Sequence, residues 1–187
     1  MIYSDWESLK YACLNCRKCK LCNTRRNVVF GVGNLGTDIL FIGEGPGEQE
    51  DIQGEPFVGP AGKLLDDMMS IIDLDRSKVY IANTVKCRPP GNRDPQEEEQ
   101  AACEDFLKSQ IALIQPKVIV CLGRIAAKQI IHHDFRITRD HGTWIQKDGI
   151  WMTAIYHPSA LLRDVSKRPE TFRDLLSIRC KLRELTE

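Results

Sequence analysis

Short apolar runs alternate along this chain with longer segments of helical periodicity. Four runs are typical of buried β-strands, and they are "DILFIG" (38–43), "VYIANT" (79–84), "KVIVCLG" (117–123) and "IWMTAIY" (150–156). Apolar residues recur at helical spacing in four other segments, which predict helices over about 61–72, 94–115, 124–132 and 169–185. Strands and helices in this order predict an α/β fold, with a parallel sheet covered on both faces.

The second predicted helix has a recognisable start. Asp94 is a suitable N-cap, Pro95 suits the first helical position, and Glu97 would stand at the third. Cys103 then falls in the second turn of this helix, and Pro116 ends it.

Unusual polar segments follow all four predicted strands. They read "GEGPGEQED", "NTVKCRPPGNR", "GRIAA" and "HPSALLR". Ligands of open parallel sheets bind beyond the carboxyl ends of the strands. The sequence therefore predicts a functional site along one edge of the sheet.

The length of 187 residues predicts one domain over 1–187, with a segment of about 1–30 packed on it. No apolar run approaches the roughly 18 residues of a membrane span. The start, "MIYSDWESLK", lacks the basic and apolar regions of a signal peptide. We therefore expect a cytoplasmic, monomeric protein without a membrane partner.

The formal net charge is zero, but the charges are unevenly placed. Cations gather in "CRKCKLCNTRR" and between residues 163 and 183, whereas acids gather in "GEGPGEQED" and at 97–99. A polyanion held at two basic regions fits this pattern, and so does an ordinary solvated surface.

Six of the eight cysteines are candidate metal ligands, namely Cys13, Cys16, Cys19, Cys22, Cys87 and Cys103. Clustered cysteines in a cytoplasmic protein favour metal binding or catalysis over disulfides. Structural zinc usually takes two close pairs, whereas an iron–sulfur cluster accepts ligands from separate segments. The spacing favours a cluster, leaves zinc as the alternative, and gives six candidates for four positions. Cys121 and Cys180 are expected to be ordinary buried thiols.

The segment "GEGPGEQEDIQGEPFVGPAG" (43–62) is rich in glycine and proline. It has neither the G-x-G-x-x-G spacing of a dinucleotide site nor the G-K-[ST] ending of a P-loop. It contains several acids and Phe57, an aromatic residue that suggests a flat ligand stacked on its ring. The alternative is a long surface loop.

The segment after the last strand combines a histidine with an apolar tip. His157 is either structural or catalytic at a sheet end. Leu161, Leu162 and Arg163 form either a wedge that enters a base stack or simply the start of a helix.

These motifs occur together in one known family. The chain resembles the iron–sulfur (family 4) uracil-DNA glycosylases through "CRKCKLC", "VVFGVGN", "GEGPGEQEDIQGEPFVGPAG", "IANTVKCRPPGNR", a cysteine at 103, "PKVIVCLG" and "HPSALLR", in that order. The resemblance implies a three-layer αβα sandwich with a central four-stranded parallel sheet. It also implies a [4Fe–4S] cluster bound by Cys16, Cys19, Cys87 and Cys103, with Cys13 and Cys22 as bystanders.

The resemblance further implies that the protein flips uracil out of DNA and hydrolyses its N-glycosidic bond. The expected uracil contacts are Glu44, Gly45, Pro46, Gly47, Phe57, Asn83 and His157. The expected DNA contacts are Arg93, Leu161 or Leu162, and Arg163. Phe57 would stack on the base, and the Asn83 amide would pair with a pattern that cytosine reverses.

Catalysis would need a stabilised uracil anion and a positioned water. His157 is expected near O2 of uracil. Glu44 and Glu50 are both expected to assist at the sugar, with Glu50 alternatively a wall against the methyl group of thymine. Gly45 is expected to leave no side chain near the sugar. No lyase step is expected, because no lysine or other amine nucleophile is expected in the pocket. Lys63 is placed on a helix, away from it.

Two other classes of protein remain open from the residues alone. One is a DNA-binding subunit without catalysis, and the other is an unrelated α/β nucleotide hydrolase, which the missing P-loop disfavours. Family members often have Arg-Gly where this chain has His141 and Gly142, so a DNA contact there is expected to be altered.

Overall fold

The computed structural model describes residues 2–186. Its strands are β1 (Val32–Gly33), β2 (Ile39–Gly43), β3 (Tyr80–Asn83), β4 (Val118–Leu122), β5 (Ile145–Lys147) and β6 (Ile150–Ile155). They form one sheet in the order β1-β3-β2-β4-β6-β5. The four inner strands, β3, β2, β4 and β6, are parallel, and they are the four that the apolar runs predict.

The sheet has six strands rather than the predicted four. Both additional strands lie at the edges and are antiparallel to their neighbours, β1 to β3 and β5 to β6. They are two and three residues long. Strands this short, formed in part by Gly33, Gln146 and Lys147, carry no apolar run that would reveal them in the sequence.

The helices are α1 (Trp6–Leu14), α2 (Glu48–Gln53), α3 (Pro60–Ile71), α4 (Glu97–Ile114), α5 (Arg124–Ile130), α6 (Ile137–Asp140), α7 (Pro158–Arg163) and α8 (Arg168–Thr186). The four predicted helices correspond to α3, α4, α5 and α8. Within residues 2–186, no helix combines the length and apolar character needed to cross a membrane.

Side chains of alternate strand residues point to opposite faces of the sheet and build two cores. Phe41 and Val120 pack with α3, α7 and α8 on one face. Leu40 and Ile119 pack with α4 and α5 on the other. This arrangement is the three-layer αβα sandwich that the sequence predicts. A third core joins α1 to α4 and includes Cys13, Cys87 and Cys103.

The prediction that Asp94 caps α4 is wrong. The helix begins at Glu97, and its N-cap is Gln96, whose N–H donates to the Glu99 carboxylate at 2.8 Å. Asp94 instead pairs with Arg124 at the start of α5. A tertiary partner has therefore replaced the local capping role.

Candidate functional site

The carboxyl ends of the four parallel strands converge on a cleft of about 600 Å³. Asn83 ends β3, Glu44 follows β2, Arg124 follows β4, and His157 lies two residues after β6. All four line the cleft, together with Gly45, Pro46, Gly47 and Phe57. The predicted grouping at one edge of the sheet is thus present in the structure.

Asn83 presents an unsatisfied acceptor in this cleft. The residue is 2% exposed, and its Oδ1 atom has no hydrogen-bond partner within residues 2–186. An orphaned buried acceptor is costly unless a ligand supplies the missing donor. Space for this atom depends on Gly43, where a Cβ would lie 2.5 Å from Asn83 Oδ1 and 2.6 Å from Phe57 Cζ.

Phe57 forms a wall of the cleft. It is 6% exposed, and its ring centroid lies 5.5 Å from that of His157. Its φ of 55° lies in the left-handed region, which is uncommon for a residue with a side chain. The aromatic face expected from the sequence is therefore held in the cleft by an unusual backbone conformation.

The hydrogen bonds of His157 define which ring nitrogen can donate. His157 is the N-cap of α7, and its Nδ1 accepts from the Ser159 N–H at 3.1 Å. A neutral ring with Nδ1 as acceptor carries its proton on Nε2. Burial, reinforced by the positive charge of Arg163, lowers the pKa of His157 to about 4. The ring is therefore a neutral Nε2–H donor at physiological pH.

Glu44 titrates near neutrality. Burial raises the pKa of the Glu44 carboxyl to about 7, and the negative charge of Asp94 acts in the same direction. Arg124 and Arg163 oppose the shift. A carboxylate with a pKa near the working pH is suited to accept a proton from water.

Glu50 is committed to the backbone of its own loop. One carboxylate oxygen accepts from the N–H groups of Val58 and Gly59, both at 3.0 Å, and the other accepts from Gly47 at 3.1 Å. These three bonds tie the two ends of the Gly-rich segment together. The arrangement fits a residue that shapes the loop better than one that handles the water.

Gly45 lines the cleft and packs closely against Val85. A Cβ at this position would lie 2.7 Å from Cγ2 of Val85, which is fully buried. A side chain at position 45 would thus point toward the protein interior. Close packing is thus one reason for glycine at this position, and the expected open space near the sugar stays a prediction.

The candidate DNA contacts differ in accessibility. Leu161 is 2% exposed and belongs to the core, whereas Leu162 is 43% exposed. Arg163 is exposed and lines the cleft. Arg93 also lines the cleft, but its guanidinium makes two bonds of 2.7 and 2.8 Å to the Glu99 carboxylate. Leu162 and Arg163 are therefore more accessible for contacts with DNA than Leu161 and Arg93.

Two cations at the cleft were not singled out from the sequence. Arg124 follows β4 and pairs with Asp94. Lys167 also lines the cleft, although no lysine was expected there. Its Nζ lies 5.1 Å from the centre of the Tyr156 ring and 3.6 Å from the Asp164 carboxylate. A cation held between a ring and a carboxylate is a poor nucleophile.

His141, near which an altered DNA contact is expected, makes internal contacts. Its Nδ1 lies 2.7 Å from the Asp174 carboxylate, and its Nε2 lies 3.0 Å from that of Glu170. Its ring also packs on Tyr156 at a centroid distance of 4.9 Å. The residue joins the turn before β5 to the last helix.

A second pocket gathers cysteines from three parts of the chain. Six cysteines line it, namely Cys13, Cys16, Cys19, Cys22, Cys87 and Cys103. We call it the cysteine pocket. Within residues 2–186, no three His, Cys, Asp or Glu side chains are arranged to hold a single metal ion. Cysteines drawn from separate segments are a ligand pattern that an iron–sulfur cluster accepts.

Several hydrogen bonds distinguish the thiols of the cysteine pocket. Arg25 Nη1 donates to Cys87 Sγ at 3.3 Å, and the Lys18 N–H donates to Cys16 Sγ at 3.5 Å. The Cys22 Sγ instead donates to the Asn23 side chain at 3.4 Å, as a thiol does. Cys22 thus contacts a neighbouring amide oxygen, whereas Cys16 and Cys87 accept from nitrogen donors.

The remaining cysteines were only half correctly predicted. Cys121 is fully buried, as expected. Cys180 is exposed, so the expectation of a buried thiol is wrong there. Lys86 was overlooked. It is 1% exposed, lines the cysteine pocket, and donates from Nζ to Gln110 at 2.6 Å.

Comparisons with known proteins identify the family of this chain. Residues 30–178 match the family model of the uracil DNA glycosylase superfamily. The chain is 47% identical over 175 residues to a type-4 uracil-DNA glycosylase of Archaeoglobus fulgidus, covering 88% of this chain and 87% of that protein. It is 48% identical over 155 residues to one of Thermotoga maritima, covering 81% and 80%. A type-5 enzyme of Pyrobaculum aerophilum is 35% identical over only 85 residues, which is 44% of this chain and 37% of that protein. The chain belongs to the uracil DNA glycosylase superfamily and, within it, to the type-4 uracil-DNA glycosylases.

Proposed function

We propose that this protein removes uracil from DNA by hydrolysing its N-glycosidic bond, and so acts in DNA repair. The observation that carries the proposal is the unpartnered Asn83 Oδ1 in a cleft walled by Phe57. A flat base with an N–H group supplies the hydrogen-bond donor that Asn83 Oδ1 lacks. Phosphate binding alone requires neither feature.

Base recognition follows from the chemistry of the Asn83 amide. Its oxygen accepts from N3–H of uracil and its nitrogen donates to O4. Cytosine has an acceptor at N3 and a donor at C4, so both contacts would become repulsive. A buried site matched to one pattern rejects the other strongly, because its polar groups are left unpaired.

Cleavage breaks the bond between C1′ and N1, and the bonding electron pair leaves with the base. His157 donates from Nε2–H to O2 of the departing uracil anion. Glu44 stabilises the developing positive charge on the sugar and accepts a proton from the attacking water, whose oxygen bonds to C1′. The released uracil anion takes up a proton, so that the net reaction is hydrolysis.

Glu50 holds the loop from Gly47 to Gly59 in place, and Leu162 fills the space that the flipped nucleotide leaves in the helix. Arg163 contacts the DNA backbone. Arg93 contacts the DNA backbone only if a phosphate replaces Glu99 as the partner of its guanidinium.

We also propose that a [4Fe–4S] cluster is held by Cys16, Cys19, Cys87 and Cys103. Cys16 and Cys87 each accept a hydrogen bond from a nitrogen donor, the kind of contact that orients a metal-ligating side chain. When bound, the cluster would be a mainly structural cross-link between the N-terminal segment and the Cys87–Cys103 segment. Cys87 directly precedes the "RPPGNR" loop and follows Asn83 by four residues, so the cross-link would support the recognition residue. The protein works as one domain and as a monomer.

A strand-cleavage assay tests the main proposal. Anaerobically purified protein is incubated with a labelled uracil-containing oligonucleotide and with a matched thymine oligonucleotide, and abasic sites are then cleaved with alkali. We expect alkali-dependent cleavage at uracil only, and none with Asn83→Ala. Binding without cleavage would instead identify a DNA-binding subunit. Cleavage without alkali would reveal a lyase step and bring Lys167 into question.

A further inference from the structure

Arg76 lies outside the cleft but holds the residue that forms its aromatic wall. Its Nη2 donates to the carbonyl oxygen of Phe57, and its Nη1 donates to that of Pro56 at 3.1 Å. Its Nε donates to the Asp66 carboxylate of α3 at 2.7 Å. All three donor groups of the guanidinium are therefore used, two of them on consecutive peptide carbonyls.

These contacts bear on a backbone conformation that residues with side chains seldom adopt. Phe57 has a φ of 55°, so the surrounding structure must hold its peptide in place. On one side, α3 packs directly on it, because a Cβ at Gly62 would lie 1.8 Å from the Phe57 oxygen. Arg76 supplies the hydrogen bonds to that oxygen. The Phe57 peptide thus lies between Gly62 and the Arg76 guanidinium.

The position of the ring depends on this peptide. The Phe57 ring has to leave room for Asn83 Oδ1 and face His157 at 5.5 Å. Gly43 leaves room for both side chains, because a Cβ there would lie within 3 Å of both Phe57 and Asn83. A change in the Phe57 backbone therefore moves the surface on which the base stacks.

We infer that Arg76 is a positioning residue that aligns Phe57 to receive the uracil ring, with Asp66 aligning Arg76 in turn. The inference rests on the proposed function, since it concerns how the same site binds its base. Only a guanidinium meets the geometry, because its planar fork reaches two adjacent carbonyls and a carboxylate at once. A lysine at position 76 has one nitrogen and cannot replace all three contacts.

The test compares Arg76→Met and Arg76→Lys with Lys78→Met. Lys78 lies in the same turn and also donates to a backbone carbonyl, that of Asp73 at 3.0 Å, but it does not contact the Phe57 loop. We measure single-turnover cleavage of uracil DNA, inhibition by free uracil, and binding to DNA that contains a stable abasic-site analogue. All assays are run well below the midpoint of thermal unfolding of each variant.

Both Arg76 variants are expected to lose about 10- to 100-fold in kcat/KM, the cost of a small misplacement of binding groups. Inhibition by free uracil should weaken in parallel, whereas affinity for abasic DNA should remain within about twofold, because the stacked base is absent there. Lys78→Met should behave as the wild type. Asp66→Asn should fall between the wild type and Arg76→Met.

The possible outcomes separate the inference from the function on which it rests. If the wild-type protein releases uracil and the Arg76 variants bind free uracil as it does, the positioning role is wrong and the function stands. If uracil inhibition and abasic-DNA binding decline together, Arg76 serves general stability and the inference fails. If the wild-type protein does not cleave uracil DNA, the proposed function fails first.

Discussion

His157 accepts a hydrogen bond at Nδ1 from the backbone N–H of Ser159, at 3.1 Å. Because a backbone N–H can only donate, the neutral ring must carry its proton on Nε2. The position of the histidine before α7 thus fixes its tautomer. The sequence places a histidine at a sheet end, but only the local fold decides which nitrogen can donate.

The first prediction follows from this geometry. His157→Leu removes the donor to the uracil anion, and we expect kcat to fall about 10²- to 10³-fold with little change in KM. Ser159→Ala is the matched control, because it removes the hydroxyl 2.7 Å from Nδ1 but keeps the backbone donor. A loss in Ser159→Ala as large as in His157→Leu would contradict the assignment. The single-turnover rates of both variants are measured with the same uracil oligonucleotide.

The pH dependence should report Glu44. Its pKa is raised to about 7, and the charged form is the one that accepts a proton. The value of kcat/KM should therefore fall about tenfold per pH unit below pH 7 and level off above it. His157, with a pKa of about 4, stays neutral over most of this range and therefore adds no further pH dependence to kcat/KM there.

Charge substitutions near Glu44 should move the acidic limb of the pH profile, which is the fall in kcat/KM below pH 7, in opposite directions. Asp94→Asn removes a negative charge that raises the pKa of Glu44, so the limb should move to lower pH. Arg163→Gln removes a positive charge that lowers the pKa, so the limb should move to higher pH. If neither substitution moves the limb, a different group controls it. Steady-state profiles at low substrate concentration distinguish the cases.

Asn83 should determine the choice of base. Asn83→Asp keeps an acceptor but loses the donor to O4, so we expect uracil cleavage to fall by about 10²-fold or more. The second carboxylate oxygen can now accept from the amino group of cytosine, and slow cytosine release should appear. Asn83→Ala should lose uracil cleavage without gaining cytosine cleavage. Equal products from both variants would contradict a direct role in base selection.

The extent to which the sequence predicts this fold depends on the length of each apolar run. The runs at 38–43 and 117–123 are buried on both faces, and they stand out for that reason. The edge strand β1 has only two residues, one of them Gly33, and its identity comes from pairing with β3. The start of α4 was misplaced because Asp94 pairs with Arg124, which is distant in sequence.

The sequence indicates which residues lie together at the cleft, but it does not separate the roles proposed for them. Glu44 and Glu50 stand six positions apart in one acidic loop, and the sequence gives no reason to separate them. The fold buries Glu44 beside Asp94 and satisfies Glu50 with three backbone N–H groups. Likewise, adjacent Leu161 and Leu162 differ only in which way the short helix α7 turns them.

The cysteine pocket makes a prediction that does not depend on catalysis. Cys16→Ser, Cys19→Ser, Cys87→Ser and Cys103→Ser should each lose most of the bound iron and the visible absorbance of a thiolate-bound cluster. Cys22→Ser and Cys13→Ala should retain both, as should the exposed control Cys180→Ser. Iron loss in Cys13→Ala, at a fold confirmed by circular dichroism, would show that the ligand set is wrong.

Leu161 and Leu162 should separate stability from DNA distortion. Leu161 lies in the core, so Leu161→Ala should lower the free energy of unfolding by about 2–5 kcal/mol. Leu162 is exposed beside the cleft, so Leu162→Ala should leave stability nearly unchanged. A wedge offsets the cost of unstacking and unpairing a base in a duplex, and this cost is small in a single strand. Leu162→Ala should therefore cleave double-stranded uracil DNA on the order of tenfold more slowly, with single-stranded DNA little affected. Equal losses in the cleavage rate on double-stranded and single-stranded DNA would exclude Leu162 as the wedge. A residue that only fills the gap in a DNA duplex has no gap to fill in a single strand.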